Sequence, residues 1–271
     1  MSTRVAIIAA GIVAAVVVVL LVLLSLGMLG NRPTPDAQPN TSPTASLADP
    51  DKKDIAMQLV SSAENSSLEW RAQYSYIEDI GDGRGYTGGI IGFTSGTSDM
   101  LELVRGYTEV VPDNPLSPYL PALEAVDGSD SHEGLDPGFT DAWADAARDP
   151  EFERAQDALR DAWYFDPSVA LAQQDGLGVL GQFAYYDAAV VHGFEGMEGI
   201  RARALAAADP ADEVAYLGAF LDEREIEMRT EAAHEDTTRV STAQRVFLDA
   251  GNLDLHLPLR WHVYGDAFEI D

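Results

Sequence analysis

Asp-Pro pairs at positions 49–50, 149–150, 166–167 and 209–210 each stand directly ahead of apolar residues spaced three and four apart. Aspartate accepts hydrogen bonds from the first free amides of a helix. Proline, with no amide hydrogen to leave unpaired, suits the first helical position. The segments 151–163, 177–191, 213–229 and 242–250 carry the three-and-four spacing, and Gly251 stops the last. This punctuation predicts a mainly α domain starting at Asp49. One stretch differs. Between Gly81 and Gly96 seven glycines alternate with Tyr86, Ile90, Ile91 and Phe93. That pattern predicts a tight turn followed by a short, glycine-broken strand or hairpin. The expected class is therefore mainly α with one small β region (α+β), in two lobes around a cleft.

Two segments precede this domain. Residues 5–29 form an almost unbroken apolar run behind Arg4, long enough to span a bilayer. Ser25-Leu26-Gly27 is a weak small-x-small cleavage site, so residues 1–30 read as a signal anchor slightly more readily than as a cleaved signal peptide. Either reading puts the rest of the chain outside the cytoplasm, secreted or tethered to the outer face of the membrane. Residues 31–48, rich in Pro, Ser and Thr, read as an extended linker. Residues 49–271 form the remaining domain, large enough to bury a core without disulfides. The chain has no cysteine, which excludes thiolate metal sites and cysteine nucleophiles.

Forty-five acids against 17 bases give a formal net charge of −28. Phosphate backbones would be repelled, so nucleic acid is excluded as a partner. A cationic polymer would be attracted, although many acidic proteins carry such charge only to stay dispersed. Gly83-Arg84-Gly85-Tyr86-Thr87-Gly88 matches a dinucleotide fingerprint literally, but a strand-like segment follows where a helix is required. The five histidines show no metal-ligand spacing, so no metal is expected.

Two acids stand out by context. Glu64 closes a first helix whose buried stripe is expected to be Ile55, Leu59, Val60 and Ala63. A carboxylate at a helix C-terminus meets the partial negative end of the dipole, and burial beside the stripe would add desolvation. Both raise a carboxyl pKa, as a general acid requires. An exposed helix-end carboxylate fits the same residues, and local context alone favours that reading. Asp82 lies among Gly81, Gly83 and Gly85, which permit a sharp turn and close approach of a substrate. An ordinary turn aspartate fits there too. Arg84 and Thr87 are polar neighbours able to position water or substrate. Asp187 interrupts the apolar run 183–191, so its charge is expected to be buried and paired, with Arg224 and Arg239 as candidate partners.

The residues 61–67 (SSAENSS) and 76–89 (YIEDIGDGRGYTGG) strongly resemble the signature of family 46 glycoside hydrolases, the chitosanases. The similarity continues through 181–187 (GQFAYYD), 230–234 (TEAAH), Phe247-Leu248 and 250–255 (AGNLDL). The resemblance implies a two-lobed, lysozyme-like helical fold. It implies endo-hydrolysis of β-1,4 links between glucosamine units in chitosan, with inversion and without a cofactor. Carried over position by position, Glu64 resembles the acid, Asp82 the base and Thr87 the residue holding the attacking water. Asp99 resembles the acid that binds a substrate amine. Asn65, Ser66, Tyr76, Arg84, Thr97, His234 and Glu235 fall on substrate-binding positions, although Glu235 stands where relatives commonly carry Asp. Asp187, Arg224 and Arg239 resemble an ion network behind the acid. The chain is expected to act as a monomer. The alternatives are a non-catalytic chitosan-binding module and a lysozyme-like hydrolase of another amino-sugar polymer.

Overall fold

The computed structural model describes residues 45–231 and 235–271. The apolar run 5–29, residues 31–44 of the linker and His234 lie outside the described residues. Among those described, no helix is long and apolar enough to cross a membrane.

The domain is mainly helical. Helix α1 spans Pro50–Asn65 and leads through a 3₁₀ turn at Trp70–Ser75 into a small antiparallel sheet. Its strands are β1 (Ile77–Asp79), β2 (Tyr86–Gly88) and β3 (Phe93–Thr94). Helices α2 (Asp99–Val110), α3 (Leu120–Val126), α4 (Phe139–Ala146) and α5 (Pro150–Arg160) follow. A π-helical turn, Asp161–Phe165, joins α5 to α6 (Asp166–Gln174). Next come α7 (Val179–Ala207), α8 (Glu213–Met228) and, after a second π turn at Val240–Gln244, α9 (Arg245–Asp249). The chain closes on an antiparallel hairpin of β4 (Leu259–Val263) and β5 (Asp266–Ile270).

The Asp-Pro signals act in different ways. Asp149 accepts the Glu151 amide at 3.0 Å and caps α5. Asp49 precedes α1 in extended geometry, with Pro50 first in the helix, but its side chain makes no cap bond. Asp166 is already helical, because the π turn runs straight into α6. Asp209-Pro210 forms a turn ahead of α8, and Asp212 caps that helix through the Ala215 amide at 3.2 Å.

Three sequence expectations need correction. Leu47 is fully buried and its amide donates to Gln182 Oε1 at 2.8 Å, so the packed domain begins inside the expected linker. The buried face of α1 is wider than the expected stripe. Ser61 and Ser62 are buried, whereas Ala63 is only half-buried. There is also a second β region. In β4 Leu259, Trp261 and Val263 are buried while Arg260 and His262 face out, the period-two alternation of a half-buried strand.

Helix α7 is the central element. From Val179 to Ala189 every residue is buried, so this half is enclosed on all sides. At Gly193 the backbone leaves helical geometry (φ 71°, ψ 164°), a left-handed φ that a side chain would strain. The break opens the middle of α7 onto a cavity. From the opposite side, β4 secures the end of α1, because Trp261 Nε1 donates to Ser62 Oγ at 3.0 Å. Ser62 in turn donates to the Leu59 carbonyl. The last turn of α1, with Glu64, is thereby fixed against the core.

Candidate active site

A cavity of about 350 Å³ opens between the end of α1, the glycine-rich sheet, the start of α2 and the break in α7. Of the residues singled out by the sequence, it brings together Glu64, Asn65, Tyr76, Arg84, Thr87, Thr97 and Asp99. Ser66, Asp82 and Glu235 are not among its lining residues. Ser66 instead ends α1 in left-handed geometry (φ 48°), and Glu235 is exposed.

Glu64 sits in the last turn of α1 with its side chain 28% exposed. Its immediate partner is a cation: Arg239 donates from its guanidinium to Glu64 Oε1. The sequence suggested an apolar setting for this carboxylate, and the structure places a guanidinium against it. Arg239 also grips Asp187, with Nε 3.0 Å from both carboxylate oxygens and Nη2 2.6 Å from Oδ1. Arg224 reaches Asp187 Oδ2 at 2.8 Å, and Gln244 Nε2 donates to the same oxygen at 2.6 Å. Burial of Asp187 raises its pKa, but the two guanidiniums and their hydrogen bonds overcome this and bring it down to about 2. Asp187 therefore stays ionised inside the core and fixes Arg239, which fixes Glu64. Arg224 has two nitrogens without a partner among the described residues. Burial lowers its pKa, and the neighbouring Arg239 cation lowers it further.

Asp82 occupies the connection between β1 and β2, with its side chain 12% exposed. Burial acts to raise its pKa, yet the hydrogen bonds and charge of Arg84 prevail and hold it below the ordinary carboxylate value. The Arg84 amide donates to Oδ1 at 3.0 Å, and Nε donates to Oδ2 at 2.8 Å. Nη2 stands 2.6 Å from Oδ2. A carboxylate offers roughly four lone-pair sites, so three Arg84 donors leave about one for water. Arg84 lines the cavity, and Asp82, bonded to it, does not. The loop depends on Gly85 (φ 74°), where a Cβ would stand 2.3 Å from Ser95 Oγ, the hydroxyl that accepts the Tyr86 amide.

Thr87, central in β2, is buried, and its hydroxyl has no partner among the described residues. A buried hydroxyl left open beside a cavity is a ready acceptor and donor for a bound molecule. Asp99, the first residue of α2, is 7% exposed. Burial pushes its pKa up to about 6. Hydrogen bonds from the Thr94 amide, the Thr97 hydroxyl and the Met100 amide, all to Oδ1, oppose that shift. Oδ2 makes no hydrogen bond among the described residues, which leaves Asp99 with one committed oxygen and one available.

Tyr164, Ile91, Val190 and Val191 also line the cavity, and the sequence marked none of them as a site residue. Tyr164 follows Trp163 in the π turn, where helical spacing gives no guide to facing. Gln244 was missed as an Asp187 ligand for the same reason, because it ends the second π turn. No cluster of described residues has the make-up of a metal site.

A model of glycosyl hydrolase family 46 matches residues 58–259. A chitosanase from Streptomyces sp. is 62% identical over 235 residues, covering 84% of each chain. A solved chitosanase complex superposes with a TM-score of 0.83 at 60% identity, over 84% of this chain and all of the other. The Gynuella sunshinyii chitosanase, solved with chitotetraose, gives 0.75 at 36% identity, over 81% of this chain and 97% of the other.

Proposed function

The chain belongs to glycosyl hydrolase family 46, and from that premise we propose that it is an endo-chitosanase acting by inversion. Glu64 donates a proton to the glycosidic oxygen as the bond to C1 breaks. Asp82 takes a proton from a water that attacks C1 from the opposite face, and Thr87 holds that water. An inverting pair stands roughly 6.5–9.5 Å apart to admit the water. The helices on either side of the cavity make up the two-lobed, lysozyme-like fold.

The observation that carries this reading is the chain of contacts from Asp187 through Arg239 to Glu64, ending in the same cavity as the open Thr87 hydroxyl and the buried Asp99. Asp99 favours an amine-bearing sugar. Its burial disfavours a lone charge, and a glucosamine ammonium at Oδ2 would supply the missing counter-ion. The related enzymes are named for chitosan, and one was solved with six glucosamine units. Asp82, held low by Arg84, is ionised under the mildly acidic conditions in which the substrate amines are charged. Asn65, Tyr76, Arg84 and Thr97 contact sugar from the cavity wall, and Ser66, His234 and Glu235 extend the contacts along the chain. The catalytic domain acts as a monomer without a cofactor, outside the cell, either released or held by residues 5–29.

Reducing-end release from chitosan tests the assignment. Glu64→Gln and Asp82→Asn should each lose at least about 10²–10⁴-fold in kcat with unchanged circular dichroism and thermal midpoint. Near-normal turnover by either variant removes that residue from its role.

A further inference from the structure

The loop that carries Asp82 is the connection of a hairpin whose closing residue pair is Asp79 on β1 and Tyr86 on β2. One residue from outside the sheet engages both. His132 stacks on the Tyr86 ring, with centroids 4.0 Å apart and planes 12° from parallel. Its Nε2 lies 3.2 Å from Asp79 Oδ2, close enough for charge pairing but off the line of a hydrogen bond. Its Nδ1 lies 3.5 Å from Asp136 Oδ2, and the Tyr86 hydroxyl donates to the other oxygen of Asp136 at 2.7 Å. The titratable groups around the imidazole are thus Asp79 from β1, Tyr86 from β2 and Asp136 from its own loop.

We propose that His132 is a positioning residue for Asp82: it clamps the closing pair of the hairpin and so fixes the loop in which Arg84 holds the base. The inference rests on Asp82 being the base. The geometry is economical. Asp79 Oδ1 accepts the Gly81 amide at 2.8 Å, so the carboxylate that His132 engages also begins the turn leading to Asp82. Tyr86 precedes Thr87, so the same stacked ring sets the strand that presents the open hydroxyl to the cavity. The connection itself, with Gly81, Gly83 and Gly85 all at positive φ, has little stiffness of its own. A glycine-rich loop that must hold a carboxylate needs an outside support, and His132 is placed to give it.

The clamp makes a specific demand. When it loosens, Arg84 no longer holds Asp82 in one geometry, and the hydrogen bonds that keep the Asp82 pKa low weaken. The acid side of the pH–rate profile should then move to higher pH. Phenylalanine at 132 keeps the stacking surface and removes both nitrogens. Asp79→Asn keeps the acceptor for the Gly81 amide and removes the charge facing His132.

The experiment measures kcat, KM and the pH dependence of kcat/KM on glucosamine hexamer for the full chain, His132→Phe, Asp79→Asn and the double variant, with thermal midpoints for each. The proposal expects each single variant to lower kcat about 5- to 30-fold with KM within about twofold, and to move the acid limb upward by about half a pH unit. The double variant should be no worse than the weaker single one, because both remove the same contact. Should His132→Phe not fold, Asp79→Asn alone decides by the same criteria. An unmoved acid limb, or kcat within twofold of wild type, overturns the proposal; so does a kcat loss that merely follows the folded fraction. Asp82→Asn is the control. If it stays active, the base assignment fails; if it is inactive while the clamp variants behave as wild type, only the clamp fails.

Discussion

Replacing Asp99 with asparagine should make the domain more stable and the enzyme worse. The Asp99 carboxyl is almost wholly buried at the start of α2, and its pKa rises from an ordinary 3.8 to about 6. Between about pH 4 and pH 6 the folded chain keeps a proton that the unfolded chain has released, so stability falls as pH rises through that window. A shift of about two units at 1.36 kcal/mol each places the cost near 3 kcal/mol at pH 7. Asparagine retains an oxygen for the Thr94 amide, the Thr97 hydroxyl and the Met100 amide, and carries no charge. Asp99→Asn should therefore gain about 1–3 kcal/mol at pH 7, or about 3–10 °C in Tm for a domain of this size, and nearly nothing at pH 4. Urea unfolding at the two pH values reads the difference directly. Hydrolysis of chitosan should fall together with the gain in stability, because the carboxylate proposed to pair with a substrate ammonium is lost. A variant no more stable than wild type at pH 7, or one equally shifted at pH 4 and pH 7, would mean that the buried Asp99 charge carries no such cost.

Two further perturbations follow from the same physics. Asp187→Asn leaves two buried guanidiniums without their shared carboxylate and should cost about 3–5 kcal/mol in chemical denaturation. In the wild type that contribution is present above the unfolded carboxyl value near 4 and is lost as pH falls toward about 2, so the variant should show a flatter acid-unfolding profile. Thr87→Val removes the open hydroxyl without changing side-chain shape. It should lower kcat about tenfold or more while leaving Tm unchanged or slightly higher, since the hydroxyl meets no protein partner. Steady-state kinetics beside a thermal melt separates the two effects.

The parts of the fold visible in the sequence are those decided locally. The Asp149 cap and the Gly251 stop rest on neighbouring residues, as does the glycine punctuation between β1 and β3. Asp187 was legible for a different reason: a charge in an apolar run demands a partner wherever it lies, and Arg224 and Arg239 supply it. What could not be read was geometry between distant segments. The contact of Arg239 with Glu64 joins residues 175 apart in the chain. It stands where local context suggested an apolar wall for Glu64. The stacking of His132 on Tyr86 likewise leaves no periodic trace. The β4–β5 hairpin was legible in principle. Leu259, Trp261 and Val263 alternate with Arg260 and His262 ahead of Tyr264-Gly265, but five residues of alternation carry little weight beside helical patterns three times as long.

The claim beneath all of this is that Glu64 and Asp82 act from opposite faces of one glycosidic bond, with water as the direct nucleophile. Proton NMR of glucosamine hexamer during the first minutes of hydrolysis tests it most directly, because the anomer formed first reports the face of attack before mutarotation mixes the two. The account predicts that the new reducing ends appear as the α anomer and drift later toward the equilibrium mixture. First appearance of the β anomer would mean two successive displacements through a covalent intermediate, and would contradict Asp82 as the base that activates water.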